Sequence, residues 1–199
     1  IYKIFGKKIK SLNKLYDAKF NGDRAKDFHY FCDDSANTLI LIEIQGNYRF
    51  GGFTNQLWNE IKNDEIDNSN IIKEHSRENI DKENDNIAID KDNNKNDKDD
   101  KDMEISYTSF KDDPYAFLFS LNKMKIYEYK KDGYAIGCSN EYGPIFGQGE
   151  DILIGDQFIE TASSWTATNV ETSSFKGNNY HLGPYENNTP VMILEMEVF

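Results

Sequence analysis

Apolar residues alternate with polar ones toward both ends of the chain and all but vanish in its middle. Residues 38–45, TLILIEIQ, form a β-branched and apolar run. Gly46-Asn47 then supplies a turn and residues 48–53, YRFGGF, continue the pattern, so a hairpin is predicted. A second hairpin is predicted from 115–121 (YAFLFSL) and 124–130 (MKIYEYK), although the adjacent Ile126 and Tyr127 interrupt strict alternation. Shorter strands are predicted at 134–139 (YAIGCS) and 151–154 (DILI), and Gly143, Pro144, Gly147 and Gly149 mark a tight, irregular turn between them. In the final VMILEMEVF, Met192, Leu194, Met196 and Val198 fall on one face, and Ile193, Glu195, Glu197 and Phe199 on the other. One apolar and one mixed face describe a sheet with its core on one side. Residues 24–32, RAKDFHYFC, place Ala25, Phe28 and Cys32 at helical spacing, which predicts a short amphipathic helix with Asp23 as its N-cap.

The middle block, about residues 64–105, has no aromatic residue and few apolar ones; Asp, Asn, Lys and Glu dominate it. Such a segment buries too little apolar surface to offset the entropy of ordering, so it is expected to be a disordered insertion. Its Asp-rich run invites a calcium-loop reading starting at Asp90, with Asp92 and Asn94 in alternate positions. That loop needs Gly at its sixth position and Glu at its twelfth, and Lys95 and Lys101 stand there. Long insertions in surface loops are tolerated, because closure entropy grows with the logarithm of length. The flanks therefore read as one domain over residues 1–199, interrupted at about 64–105. Many short strands with turns between them and one or two helices predict an α+β fold that is mainly β. The expected architecture is a two-sheet antiparallel β-sandwich flanked by short helices. Aromatic residues make up 14% of the chain, and in a domain of this size most of those rings belong in the core.

Charge and cysteine content narrow the function. The net charge is −12, of which the insertion carries about two-thirds, so the folded blocks are only mildly acidic. An acidic chain repels phosphate backbones, which argues against nucleic acid as a partner. The densest basic stretch holds Lys3, Lys7, Lys8, Lys10 and Lys14 and reads as a solvated helix face. Cys32 and Cys138 stand without CxxC, CxxH or HxxxH spacing, so no structural zinc site or other metal is expected. Two free, partly buried thiols fit cytoplasmic life, with a single disulfide between them as the alternative, since sequence does not give their distance. No apolar run reaches the ~18–20 residues of a membrane span, and no signal peptide is visible. The chain begins at Ile1 rather than Met, so it is expected to be a monomeric domain within a longer protein.

Several phrases occur in an order that resembles the TLDc domain of the oxidation-resistance family. They are YRFGGFTNQLW at 48–58, AFLFSL at 116–121, EYGPIFGQGEDILI at 141–154 and EMEVF at 195–199. Leu15-Tyr16, Asp23, Phe28 and Cys32 are similar to the family's opening strand and first helix. The similarity covers nearly all of the chain outside the insertion. It departs from the family in the roughly fifty residues between Trp58 and FLFSL, in a short and basic entry before Tyr16, and in the loosely matching 161–181. The resemblance implies a β-sandwich of two antiparallel sheets flanked by helices. It implies a role in protection against oxidative stress and contact with the vacuolar-type proton pump (V-ATPase). It brings no active site and no cofactor, and it places the domain at the cytosolic face of acidic organelles, with the nucleus and mitochondrion left open.

The chemistry-bearing residues are weighed accordingly. Gly143, Gly147 and Gly149 lack the spacing and the Lys-Ser/Thr of a phosphate loop and are expected to be structural turns. Gly51 and Gly52 are expected to form a bulge or bend. Glu141, Glu150, Asp151, Glu195 and Glu197 surround the family phrases and are candidates to meet a basic patch on a partner. Trp165, in the polar stretch TASSWTATN, is a candidate anchor, whereas Trp58 is expected to pack in the core. The competing reading is an enzyme, a thiol-dependent peroxidase or a hydrolase, pairing Cys32 or Cys138 with His29 or His181. A third is a carbohydrate-binding sandwich with exposed aromatic residues.

Overall fold

The computed structural model describes residues 11–59, 71–72, 108–159, 164–165, 174–176, 182 and 190–199. It is mostly β, with two antiparallel sheets and two short helices. The first sheet has the order β1-β13-β2-β3-β6-β7. Its strands are β1 (Tyr16–Asp17), β2 (Thr38–Ile44), β3 (Tyr48–Thr54), β6 (Phe117–Ser120), β7 (Lys125–Glu128) and β13 (Ile193–Val198). The second sheet has the order β12-β11-β10-β9-β8-β5-β4. It contains β4 (Ile71–Ile72), β5 (Thr108–Lys111), β8 (Ile136–Cys138), β9 (Ile145–Phe146), β10 (Ile152–Leu153), β11 (Ser164–Trp165) and β12 (Pro190–Val191). Helices α1 (Ala18–Asn21) and α2 (Ala25–Cys32) follow β1.

Alternation built the first hairpin as expected. β2 and β3 pair in continuous register from Thr38↔Thr54 to Ile44↔Tyr48, closed by Gly46 at φ 82° and Asn47 at φ 60°. Gly and Asn tolerate this left-handed region better than other residues. Gly51 and Gly52 sit inside that unbroken register, so the predicted bulge is not there. Their role is close approach: a Cβ on Gly52 would lie 2.5 Å from the Phe146 ring of the facing sheet, and one on Gly51 would lie 1.8 Å from the Ile40 carbonyl oxygen. A bulge does occur in β13, between Ile193 and Glu195 opposite Ile44 and Glu43. The extra residue reverses the predicted faces upstream of it. Ile193 is buried, while Leu194 and Met192 stay 38% and 39% exposed; downstream, Met196 and Val198 face the core as expected.

Helix α2 buries Ala25, Phe28 and Cys32, as the spacing predicts. Its N-terminus differs. Arg24 is the N-cap residue and the Asp27 carboxylate accepts the Arg24 N–H at 3.2 Å, while Asp23 accepts the Ile159 N–H at 3.1 Å instead. The turn expected around Gly143–Gly149 contains the short strand β9, which pairs with both β8 and β10.

One apolar cluster joins the inner faces of the two sheets, with Ile40, Ile42, Phe50 and Leu118 meeting Ile136, Phe146 and Ile152. A file of rings threads it. Tyr16 to Phe28 spans 6.1 Å, Phe28 to Trp58 5.5 Å, Trp58 to Phe146 5.5 Å, Phe146 to Phe175 6.5 Å and Phe175 to Tyr129 5.8 Å between centroids. Edge-on and tilted contacts of this kind add to simple area burial. The expected insertion at about 64–105 lies outside the described residues except for β4, which pairs with β5. On either side of it, β3 pairs with β6, and Lys111 Nζ donates to the Leu57 and Asn59 carbonyls at 2.8 and 2.6 Å.

Candidate functional site

Neither cysteine is poised for nucleophilic work. Cys32 is fully buried beneath α2, and burial, aided by the charge of Asp33, pushes its thiol up to about 12. A thiolate is the reactive form, so this thiol is inert at neutral pH. Cys138 is 1% exposed in β8. His29, the expected partner, is turned to other work. Its Nδ1 meets the Asp33 carboxylate at 2.6 Å, and its Nε2 lies 2.9 Å from the carbonyl oxygens of both Ser139 and Tyr142. Every one of these neighbours is an acceptor, an arrangement that favours donors on both ring nitrogens and so the protonated ring. Burial opposes that charge, but the Asp33 carboxylate and the two carbonyls outweigh it and raise the pKa above its usual 6.5. His29 is thus a charged staple between α2 and the 139–142 turn. His75 and His181 lie outside the described residues.

A test follows from the sign of this shift. A histidine whose folded pKa is raised contributes stability that is complete below the unfolded pKa and fades as pH rises through the folded one. His29→Gln should therefore lower stability by roughly 1–2 kcal/mol at pH 6 and by less at pH 9. Urea melts at the two pH values check this; a deficit independent of pH would mean that the ring is neutral.

The glycine-rich turn is internally consumed. Gly147 adopts φ 79°, and a Cβ there would lie 1.9 Å from the Asp151 carboxylate. Asp151 is fully buried and accepts the Ser174 N–H at 2.9 Å, so its carboxylate is not at the surface where a partner could meet it. Glu141 is exposed and Glu150 half-buried. Trp165 lies in β11, its backbone opposite Leu153 and Pro190. Trp58 is fully buried, its indole N–H donating to the Thr38 hydroxyl at 2.9 Å.

Glu195 and Glu197 occupy the outer face of the six-stranded sheet, with Asp17 opposite Glu197 across the β1–β13 pairing. Their carboxylate oxygens come within 4.8 Å of one another. Lysines already answer this charge: Lys14 bonds Glu197 and, at 2.9 Å, Asp17, while Lys19 pairs with Glu195 at 3.2 Å. Asp17 also caps α1 by accepting the Lys19 N–H. The acidic end of this face is therefore a built ion-pair cluster.

The other end of the same face is apolar. Leu39, Phe53 and Phe119 form a second cluster there, joined by half-buried Leu41, Phe117, Leu121 and Phe199. The signal was the apparent fault in MKIYEYK: Tyr127 faces the core at 5% exposure while Ile126 points outward at 60%. Phe20 and Tyr30 add further exposed rings on the helices, at 86% and 83%.

Comparison with known sequences finds that the sequence model of the TLDc domain matches residues 1–94. No curated protein matches the chain. Among the described residues, no helix is long and apolar enough to cross a membrane.

Proposed function

From the match of the TLDc domain model to residues 1–94, we propose that the chain is a TLDc-type, non-catalytic protein-interaction module. In this reading residues 1–199 are one TLDc domain, interrupted by an acidic insertion, that works in the cytoplasm at the surface of acidic organelles. It supports resistance to oxidative stress by binding and regulating the vacuolar-type proton pump. The observation that carries the non-catalytic part is the fate of the candidate nucleophiles. Cys32 is sealed and raised to about 12, and both nitrogens of His29 are committed to fixed acceptors. Continuity across the insertion is supported by the pairing of β3 with β6 and by the Lys111 bonds to Leu57 and Asn59. The exposed Glu141, the half-buried Glu150 and Trp165 remain candidate contacts for a partner surface, and Glu195 and Glu197 would join them only by exchanging the lysines they already hold.

The test has two arms. Cells lacking the protein should regain peroxide tolerance with wild type and equally with Cys32→Ser/Cys138→Ser; tolerance lost with the thiols would restore the peroxidase reading. Purified pump subunits should be retained by the immobilised chain, and absence of retention at micromolar concentration would remove the pump as partner.

A further inference from the structure

At the β6–β7 edge of the six-stranded sheet a groove opens, walled by outward-facing apolar residues and backed by the core residues Ala116 and Tyr129. Phe117 and Phe119 project outward from β6, while Leu118 and Ser120 between and beside them face the interior. Phe117 and Phe119 give the groove a ring-lined floor, and Phe117 is held by stacking on Phe53 at 5.3 Å and 14°. Met124 at 87%, Ile126 at 60% and Tyr115 at 51% exposure stand around it. The cavity measures about 580 Å³, a size typical of pockets that seat a small ligand or a few side chains. Exposed apolar residues gathered in a concavity mark recognition sites, whereas scattered ones do not.

The rim is basic. Lys125, Lys131 and Lys176 line the groove, and Lys123 lies beside it; among the described lining residues the one acid is Glu128, already paired with Lys176 at 3.2 Å. Desolvation, and after it the neighbouring charge of Lys125, lowers the pKa of Lys123. Outside the insertion the chain is mildly acidic, so a cluster of lysines at one groove is a local site of attraction for an anionic partner. Electrostatic complementarity of this local kind directs a partner to one site.

We propose that this groove docks an extended segment of a partner protein in which large apolar side chains fill the ring-floored cavity and carboxylates meet the rim lysines. The inference rests on the interaction-module reading and gives that reading a surface and a partner chemistry. A lipid surface is flat and would leave the floor of Leu39, Phe117 and Phe119 unfilled. The ion-paired acidic end of the face, by contrast, has its charge already answered.

The experiment pans a random-peptide phage library on the immobilised full chain and measures the enriched peptides by fluorescence polarisation. Enriched peptides should be net acidic with at least two large apolar residues. Ile126→Asp and Lys125→Glu should each weaken them by about tenfold or more, and added salt should weaken them further. Both positions are exposed, so melting temperatures should not move. The proposal is overturned by basic or charge-neutral consensus peptides, by no enrichment, or by peptides indifferent to both variants. It is equally overturned if the same two residues drive a dimer in sedimentation, or binding to phosphatidylserine vesicles in place of peptides. Retention of pump subunits by Ile126→Asp would sink the groove as the pump contact yet leave the module reading standing. Failure of wild type to retain those subunits removes the pump whatever the peptides do.

Discussion

Trp58→Ala is expected to destabilise the fold by about 4 kcal/mol, near the upper end of what a single core truncation does. Trp58 is fully buried and stands in the middle of the ring file, 5.5 Å from both Phe28 and Phe146. It therefore joins helix α2 to the second sheet, and its removal leaves a cavity that neither rigid neighbour can refill. The loss also strips the Thr38 hydroxyl of the indole donor it meets at 2.9 Å. Trp58→Phe separates the two effects. It keeps most of the ring contact and should cost about 1–2 kcal/mol through lost volume and the unmet hydroxyl. Urea unfolding of the three proteins measures the series. A loss below about 1 kcal/mol for the alanine variant would mean that the file is not continuous in solution.

Asp113→Ala is expected to rank second, at about 3 kcal/mol. The carboxylate is completely buried yet accepts three hydrogen bonds, from the Thr54 hydroxyl at 2.7 Å, the Asn55 N–H at 2.7 Å and the Tyr115 N–H at 2.9 Å. Removing it orphans two backbone donors and a hydroxyl at once, and unmet polar groups in an interior are each expensive. Because Thr54 and Asn55 precede the acidic insertion and Tyr115 follows it, this one side chain clamps its two flanks together. Asp113→Asn keeps an acceptor oxygen and should lose roughly half as much. Thermal melts should show both losses. Unaltered stability in the alanine variant would mean that water or a neighbour takes over the three donors.

The elements that were legible in the sequence were those set by local pattern. The β2–β3 hairpin announced itself by alternation and Gly46-Asn47, and α2 by the spacing of Ala25, Phe28 and Cys32. What was misread depended on partners distant in sequence. Gly51 and Gly52 look like a bulge in one dimension, but their reason is the Phe146 ring and the Ile40 carbonyl. The faces of β13 were assigned by strict parity, and one extra residue before Glu195 shifts them. Asp23 looked like a cap because it precedes the helix, yet Asp27 reaches back to Arg24 instead. Asp113 carried no local signal at all, since its three donors come from two sides of a long interruption.

The candidate site was legible in the same uneven way. The acidic residues were visible as a set, but only sheet register reveals that Glu195 and Glu197 share a face with Asp17 and are met by Lys14 and Lys19. Asp151 looked available and is enclosed. The groove was hidden because its apolar lining comes from β2, β6 and β7, three stretches whose apolar residues each pass for ordinary core. Its one trace was Ile126 beside Tyr127, where two consecutive apolar residues must point opposite ways on a strand.

The position of β13 also sets the order of assembly during synthesis. It lies between β1 and β2, so these two strands, made before it, wait for residues 193–198 before either gains its neighbour there. Until then the nascent chain displays a long Ile/Leu-rich edge in β2, the kind of template on which stray strands add. Premature termination anywhere upstream of 193 would leave that edge open for the lifetime of the fragment. Such fragments become work for chaperones and proteases rather than partly useful domains.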